Sequence, residues 1–406
     1  MLNGLKTIYR AYSKEIWYLT IIVLIFVSRK TIFNVSRGGA TFDATLDSGT
    51  SLLMMGVIMS LVAIWKNSGD FSDVRKANFS FIAYYILCLA SFLWAGHFGT
   101  IVLKAVEVLC CFWVIGIIMN KMESLKQGLY YIIFLSTFIT YISVLSSFLK
   151  FGIIFIHTNT YSMSAMVSLL LCLGAVRFHV YQFGEVKYYI LLNTMALISG
   201  TSSASWISFI IGVIILYSMN ENGVGLLRTA AICVIIYVAY ELALDQIFDI
   251  IFKGKTKEMV ESGHGRDVIW NAAIASWKDS PWLGNGFLVG ERSLGSYGLG
   301  LKVISVHNTF LSVLVGTGIV GMVLFVNFLF KWIGRLLTYI KYNRYAIIMF
   351  PVVIATIVNC MAFPAIGSDW NFVAPVVYAL ITFVFLHIDD RSDMEEEYLE
   401  EQEDLL

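Results

Sequence analysis

Long apolar runs dominate the chain. A membrane-crossing helix needs about 20 mostly apolar residues, or about 17 at the short end. Runs of that kind fall at 15–33, 48–65, 79–96, 99–119, 128–149, 161–178, 188–200, 204–219, 229–245, 308–330, 345–363 and 372–388. The pattern predicts an all-α, polytopic integral membrane protein of about 12 transmembrane helices. The expected division is helices one to nine in 1–245, a large outer loop carrying an amphipathic helix in 246–307, helices ten to twelve in 308–388, and an acidic tail in 389–406. The seventh and eighth runs form a short pair around "SGTSSASW" (Ser199–Trp206), read as a polar turn near the far surface.

Composition agrees. Of 406 residues, 58% are hydrophobic and 14% charged, and the mean hydropathy is +0.76. A soluble domain is closer to 45–50% apolar and about 25% charged. The formal net charge is zero, with no basic run of the kind that tracks phosphates, so nothing suggests nucleic acid as a partner. Cys88, Cys110, Cys111, Cys172, Cys233 and Cys360 lie in apolar stretches without CxxC spacing. They read as small buried hydrophobes and not as a disulfide framework or metal site. The basic N-terminus "MLNGLKTIYRAYSKE" lacks a small-residue cleavage site and reads as the lead-in to a retained first span.

Lys and Arg in cytoplasmic loops set orientation. With the N-terminus inside, most of them fall in inside segments, such as Lys66, Arg75, Lys76, Lys121, Lys126, Lys187 and Arg335. The short outer loops hold Arg29, Lys30, Arg37 and Lys150. Both termini are therefore expected in the cytoplasm, and the acidic tail reads as a solvated segment there.

The long outer loop is then the sizeable extramembrane piece, and loops on rigid scaffolds commonly carry chemistry. It contains "GHGRDVIWNAAIASWKDSPWLGNGF" (Gly263–Phe287), in which Ile269/Trp270, Ala273/Ile274 and Trp277 recur at helical spacing. Pro281 limits that helix, and its Trp residues suit the outer interface. A guanidinium at a helix N-terminus makes a good phosphate or diphosphate site, which singles out Arg266. The plainer reading is a loop salt bridge to Asp267 or Asp279. In "SVHNTF" (Ser305–Phe310), Asn308 is well placed to cap the next span. His307 would stand at its mouth, where a neutral imidazole, ordinarily of pKa about 6.5, can take a proton from a hydroxyl. The alternative is a histidine that is only hydrogen-bonded.

Other candidates are weaker. "GTGIVG" (Gly316–Gly321) formally matches a dinucleotide fingerprint, but no strand precedes it, so close packing through small residues is expected. Lys104 and Glu107 share a helix face as a functional pair or an internal ion pair. Glu241 would face a polar cavity or merely end its span. Asn159, in "HTNTYS" (His157–Ser162), reads as a helix cap. Tyr161, Trp282, Tyr297 and Trp370 would stack on sugars or anchor the interface.

Taken together, these segments resemble the O-antigen polymerase and ligase superfamily (the Wzy/WaaL type). There an Arg precedes a Trp-containing helix, "hPllGvG" follows, and "HN" opens a span containing "GxxG". Here the pattern stands as Arg266, Trp270, "DSPWLGNGF", His307-Asn308 and "GTGIVG". "HTNTYSMSAM" is similar to that family's "npN" helix start and puts Asn159 at the site. "SGTSSASW" is similar to its "tgSRsa" turn, with Ser202 where the family has Arg. Arg266 with a further cation (Arg29, Lys30 or Arg292) would then hold a diphosphate.

The resemblance implies a GT-C-like fold and glycan transfer from an undecaprenyl-diphosphate-linked oligosaccharide at the outer face of the bacterial cytoplasmic membrane. It implies no cofactor and no metal, with His307 as base, Arg266 on the leaving diphosphate, and Asn308, Asn159, Ser202, Trp270 and Asp267 near substrate. Membrane lipid, a chain-length regulator and a flippase of the same pathway would be partners. The expected activity is polymerisation of repeat units into capsule, O-antigen or exopolysaccharide. The alternatives are a ligase that passes finished glycan to a lipid or wall acceptor, and a lipid-linked glycan transporter. A transporter would favour similar halves and more polar residues through the core, and the sequence offers no clear internal repeat.

Overall fold

In a computed structural model, residues 48–148, 158–200, 202–220, 223–225, 266–294, 305–368 and 371–388 are described. The expected spans 15–33 and 229–245, the acidic tail, His157, Glu241, Tyr297 and Trp370 lie outside them. Every other expected span coincides with helix. In chain order these are α1 (Ser48–Lys66), α2 (Ser68–Ala77), α3 (Phe79–Ala90), α4 (Phe92–Ala95), α5 (Phe98–Asn120), α6 (Leu125–Phe148), α7 (Thr158–Arg177), α8 (Phe183–Ser199) and α9 (Ser203–Ser218). After the two-residue antiparallel pair β1 (Met219–Asn220) and β2 (Gly223–Val224) come α10 (Arg266–Asp279), α11 (Val289–Arg292), α12 (Thr309–Tyr339), α13 (Arg344–Asn359) and α14 (Ala374–His387).

Among the described residues, four helices are long and apolar enough to cross a membrane: Phe98–Asn120, Leu125–Leu145, Thr158–Arg177 and Thr309–Tyr339. A fifth candidate is the pair Ser68–Ala77 and Phe79–Ala95, bent by 93°. Ser203–Ser218, Arg344–Asn359 and Ala374–His387 are apolar but shorter. The architecture is that of a polytopic membrane protein. Helix α2 was not expected, because "SGDFSDVRKA" reads as a charged inner segment; only its Val74 is buried.

The core is built around α5, whose buried face includes Ala105, Val108, Phe112 and Ile115. Phe81 of α3 packs its ring 4.5 Å from Phe112, 5.1 Å from Phe328 and 5.8 Å from Tyr378, tying α3, α5, α12 and α14 together. Buried side-chain hydrogen bonds assist elsewhere. Asn193 Nδ2 donates to Thr137 Oγ1 (2.8 Å) and Ser168 Oγ (3.1 Å), joining α6, α7 and α8. Such bonds hold helices together where lipid supplies no hydrophobic drive. Lys104 and Glu107 pair with each other at 2.8 Å, with Glu107 fully buried.

Helix lengths force a bend in α12. Its 31 residues would span about 46 Å if straight, whereas the 16 residues of α13 span about 24 Å. The two share the short turn 340–343 at one end. At the other, Thr309 N–H donates to the Cys360 carbonyl at 2.9 Å. Both ends can meet only if α12 breaks, and it does so at Gly318 (φ 64°, ψ −161°), a conformation open to glycine.

Candidate functional site

The break in α12 is filled by the loop that follows α10. In an unbroken helix, Ile319 and Val320 would donate to the carbonyls of Val315 and Gly316. Here Ile319 N–H donates to the Pro281 carbonyl (2.9 Å) and Val320 N–H to that of Trp282 (3.1 Å). The freed carbonyls of Val315 and Gly316 accept from Asn285 N–H (2.8 Å) and Gly286 N–H (2.9 Å). All four backbone groups are thus satisfied, as burial in a membrane domain demands. The approach leaves no room for side chains. A Cβ on Gly284 would stand 2.7 Å from backbone atoms of Gly316, Thr317 and Gly318, and one on Gly318 would stand 2.4 Å from Trp282 C and O. "WLGNGF" and "GTGIVG" are therefore two halves of one backbone lock. Close packing was expected of the second motif; its partner is a loop and not another helix.

The lock fixes α10 against the first half of α12. Ala273, Leu294, Val306 and Val315 form a small buried cluster, flanked by Ile269, Trp270, Trp277 and Leu311. Asn285 Nδ2 donates to the Ser276 carbonyl (2.9 Å), closing the loop back on α10. Further along, Phe287 N–H donates to Ser91 Oγ (2.9 Å) at the α3–α4 junction.

Segment 305–309 is held from several sides. The Trp270 indole N–H donates to the Val306 carbonyl (3.1 Å), while Val306 N–H donates to Glu291 Oε2 (3.0 Å). Asn308 Oδ1 accepts from Phe310 N–H (2.9 Å) and Leu311 N–H (3.2 Å), so Asn308 is the N-cap of α12. Thr309 is tied to Cys360 as described. Between these anchors His307 adopts φ 55°, a left-handed conformation uncommon outside glycine, and its own N–H donates to Ser305 Oγ (3.1 Å). Its side chain is half-buried.

Arg266 opens α10 one turn before Trp270 and is half-buried. Burial pushes its guanidinium below the usual arginine value, yet arginine starts so high that it remains a cation at neutral pH. Among the described residues it forms no ion pair, so neither Asp267 nor Asp279 neutralises it there. Asp267 is exposed in the same first turn. A half-buried cation at a helix N-terminus favours an anionic ligand.

The "SGTSSASW" turn joins the same region through α13. Ser202 caps α9, its Oγ lying 3.0 Å from Ser205 Oγ, which accepts from Asn359 Nδ2 (3.1 Å). Asn359 directly precedes Cys360, the anchor of Thr309. The start of α7 also meets this turn, since a Cβ on Gly200 would lie 2.0 Å from Ser162 Oγ and 3.3 Å from the Tyr161 ring. Asn159, two residues before Tyr161, is half-buried in the first turn of α7.

The four segments singled out in the sequence are thus linked to one another by a chain of contacts. Trp270 and Asn308 spend polar groups on structure: the Trp270 N–H on Val306, and the Asn308 oxygen on the α12 cap. Glu291 and Asn359 were not singled out. Their partners lie fifteen and 154 positions away, and no local pattern announces such pairings. Trp282 is exposed and Tyr161 buried. Among the described residues, no group of three or more His, Cys, Asp and Glu side chains is gathered.

Most of this geometry falls within one conserved sequence pattern. Residues 188–326 match the O-antigen ligase family model, Wzy_C. The matched stretch holds Ser202, Arg266, Asp267, Trp270, His307 and Asn308, together with both halves of the backbone lock; Asn159 precedes it. The match supports the O-antigen polymerase/ligase superfamily, a glycosyltransferase-like enzyme family whose substrates are lipid-linked glycans. No curated protein matches the chain.

Proposed function

We propose that the protein is a polysaccharide polymerase. It joins undecaprenyl-diphosphate-linked oligosaccharide repeat units into capsular, O-antigen or exopolysaccharide at the outer face of the bacterial cytoplasmic membrane, with both termini inside. The observation that carries this reading is His307, held in a left-handed conformation between anchored neighbours. Trp270 links it to the helix that Arg266 opens.

In the reaction, an acceptor hydroxyl oxygen bonds to the anomeric carbon of the donor as the carbon–oxygen bond to the diphosphate breaks. The electron pair leaves with the diphosphate. Arg266 stabilises that growing charge, and His307 takes the hydroxyl proton and later releases it to water. Attack opposite the leaving group inverts the anomeric centre. Asp267, Asn159 and Ser202 border the donor and acceptor, and Asn308 fixes the mouth of α12. The donor's diphosphate is fixed by Arg266 without metal or cofactor, in a GT-C-like framework of about twelve spans. A chain-length regulator and a flippase of the same pathway act beside it.

The matching family is described as an O-antigen ligase, which favours a second reading: one-step transfer of finished glycan to a lipid or wall acceptor. Purified protein given a synthetic lipid-diphosphate repeat unit separates the two. A stepwise product ladder, lost in Arg266→Ala and His307→Ala, supports the polymerase. No ladder from the cognate repeat unit removes it, and a single mobility step once an acceptor is added supports the ligase.

A further inference from the structure

Glu291 is a buried carboxyl that the proposed chemistry does not use. It is 3% exposed and sits on α11, directly after the lock between the loop and α12. Oε2 accepts from Val306 N–H at 3.0 Å, and Oε1 accepts from Ser368 Oγ at 3.4 Å. Neither end of this bridge is loose. Tyr85 of α3 donates its hydroxyl to the Ser368 carbonyl (3.1 Å) and accepts from Gly367 N–H (3.2 Å), while Tyr84 donates to the Gly367 carbonyl (2.6 Å). The other end is Val306, the residue before His307.

Burying a carboxyl is costly unless donors satisfy it. An aliphatic side chain would fill the same space more cheaply, so its use at this position calls for a specific role. His307 carries a left-handed backbone that an L residue adopts reluctantly, and such conformations persist where the surroundings over-determine them. Val306 is gripped by both of its backbone groups, its N–H by Glu291 and its carbonyl by Trp270. We infer that Glu291 is the positioning residue of His307: it pins the preceding residue, Val306, to the Ser368 turn and thereby sets the direction in which the imidazole leaves the backbone. This inference rests on the reading of His307 as the base.

The carboxyl acts as a bridge of hydrogen bonds. Glutamine can preserve the bridge, its Oε1 accepting from Val306 N–H and its Nε2 donating to Ser368 Oγ. Alanine removes it, and aspartate, one methylene shorter, cannot reach both partners.

The test compares wild type, Glu291→Gln, Glu291→Asp and Glu291→Ala as full chains in detergent, with two readouts. In the glycan-transfer assay, Glu291→Ala and Glu291→Asp lower kcat on the order of 100-fold, the scale of an ångström misplacement. KM changes little, and Glu291→Gln restores most of the rate. Independently of turnover, diethyl pyrocarbonate labelling is followed by peptide mass spectrometry. Its rate changes at His307 in Glu291→Ala and Glu291→Asp but stays unchanged at exposed His179. Wild-type labelling at His307 in Glu291→Asp overturns the inference. So does equal alteration at His307 and His179, which marks general loosening, or a glutamine variant no better than alanine. If Glu291→Ala does not fold, the aspartate variant decides. If the wild type transfers no glycan, the proposed function falls while labelling still decides the role of Glu291.

Discussion

The Trp270 indole N–H donates to the carbonyl of Val306, the residue before His307, at 3.1 Å. This bond connects two segments whose proximity the sequence only suggests. Arg266 lies one turn before Trp270 on the same helix, so one hydrogen bond fixes the helix bearing the proposed diphosphate ligand relative to the peptide bearing the proposed base. Catalysis that depends on holding two groups in register is sensitive to such a link.

Trp270→Phe keeps most of the ring's packing against Ala273 and Val306 and removes the donor. A buried hydrogen bond of this kind contributes about 0.5–1.5 kcal/mol, and the orphaned carbonyl adds a desolvation cost. The expected result is a folded protein with kcat down by about tenfold or more and KM little changed. If Trp270 instead stacks on sugar, KM rises while kcat holds. Initial rates over a range of donor concentrations separate the two.

The backbone lock gives a prediction about folding. Gly318→Ala places a Cβ 2.4 Å from Trp282 C and O, at φ 64° where an L residue is strained. Strain alone costs about 1–3 kcal/mol, and the clash is with backbone that cannot rotate away. Gly334→Ala is the control, since a Cβ there meets nothing within 4 Å. Thermal unfolding in detergent should show a clear loss for Gly318→Ala and little change for Gly334→Ala.

Much of the helical scaffold was legible in the apolar runs. The run at 204–219 became Ser203–Ser218, and that at 48–65 became Ser48–Lys66. Apolar runs mark less than the whole helix where its end carries charges. The apolar run 308–330 stops before Lys331, whereas the helix continues to Tyr339 and Arg335 Nε donates to the Val384 carbonyl (3.0 Å). Likewise α8 starts at Phe183, five residues before the run at 188–200, behind a capping box of Gln182 and Glu185. The helix-start positions of Arg266, His307 and Asn308 were legible because the chemistry of unpaired N–H groups there is local. Glu291 and Asn359 were not, because they matter only through partners brought close by the fold.

Asn308 offers a test between a cap and a substrate contact. Its side-chain oxygen already accepts from Phe310 and Leu311. Asn308→Ala should cost about 0.5–2 kcal/mol of stability, and Asn308→Ser should recover most of it because serine caps well. If capping is its whole role, activity follows stability through both variants. A serine variant with wild-type unfolding and a raised KM would instead assign Asn308 a direct contact with the glycan.

The two groups proposed for the centre of the site act in opposite charge states. A base must be neutral to accept the acceptor proton, which is the form in which His307 is proposed to work. Arg266 works in the opposite form, as a cation. Burial pushes its pKa down, which favours loss of the proton, but arginine is effectively always protonated in proteins, so no alkaline limb from Arg266 is expected between pH 6 and 9. Arg266→Ala should therefore lower kcat on the order of 100–1,000-fold at every pH and leave the shape of the profile unchanged. His307→Ala should lower kcat by about 100–10,000-fold. Arg266→Lys should recover only part of the rate, since an ammonium lacks the planar fork that grips two phosphate oxygens. A rate that survives in His307→Ala would place the base on another residue while leaving the role of Arg266 intact.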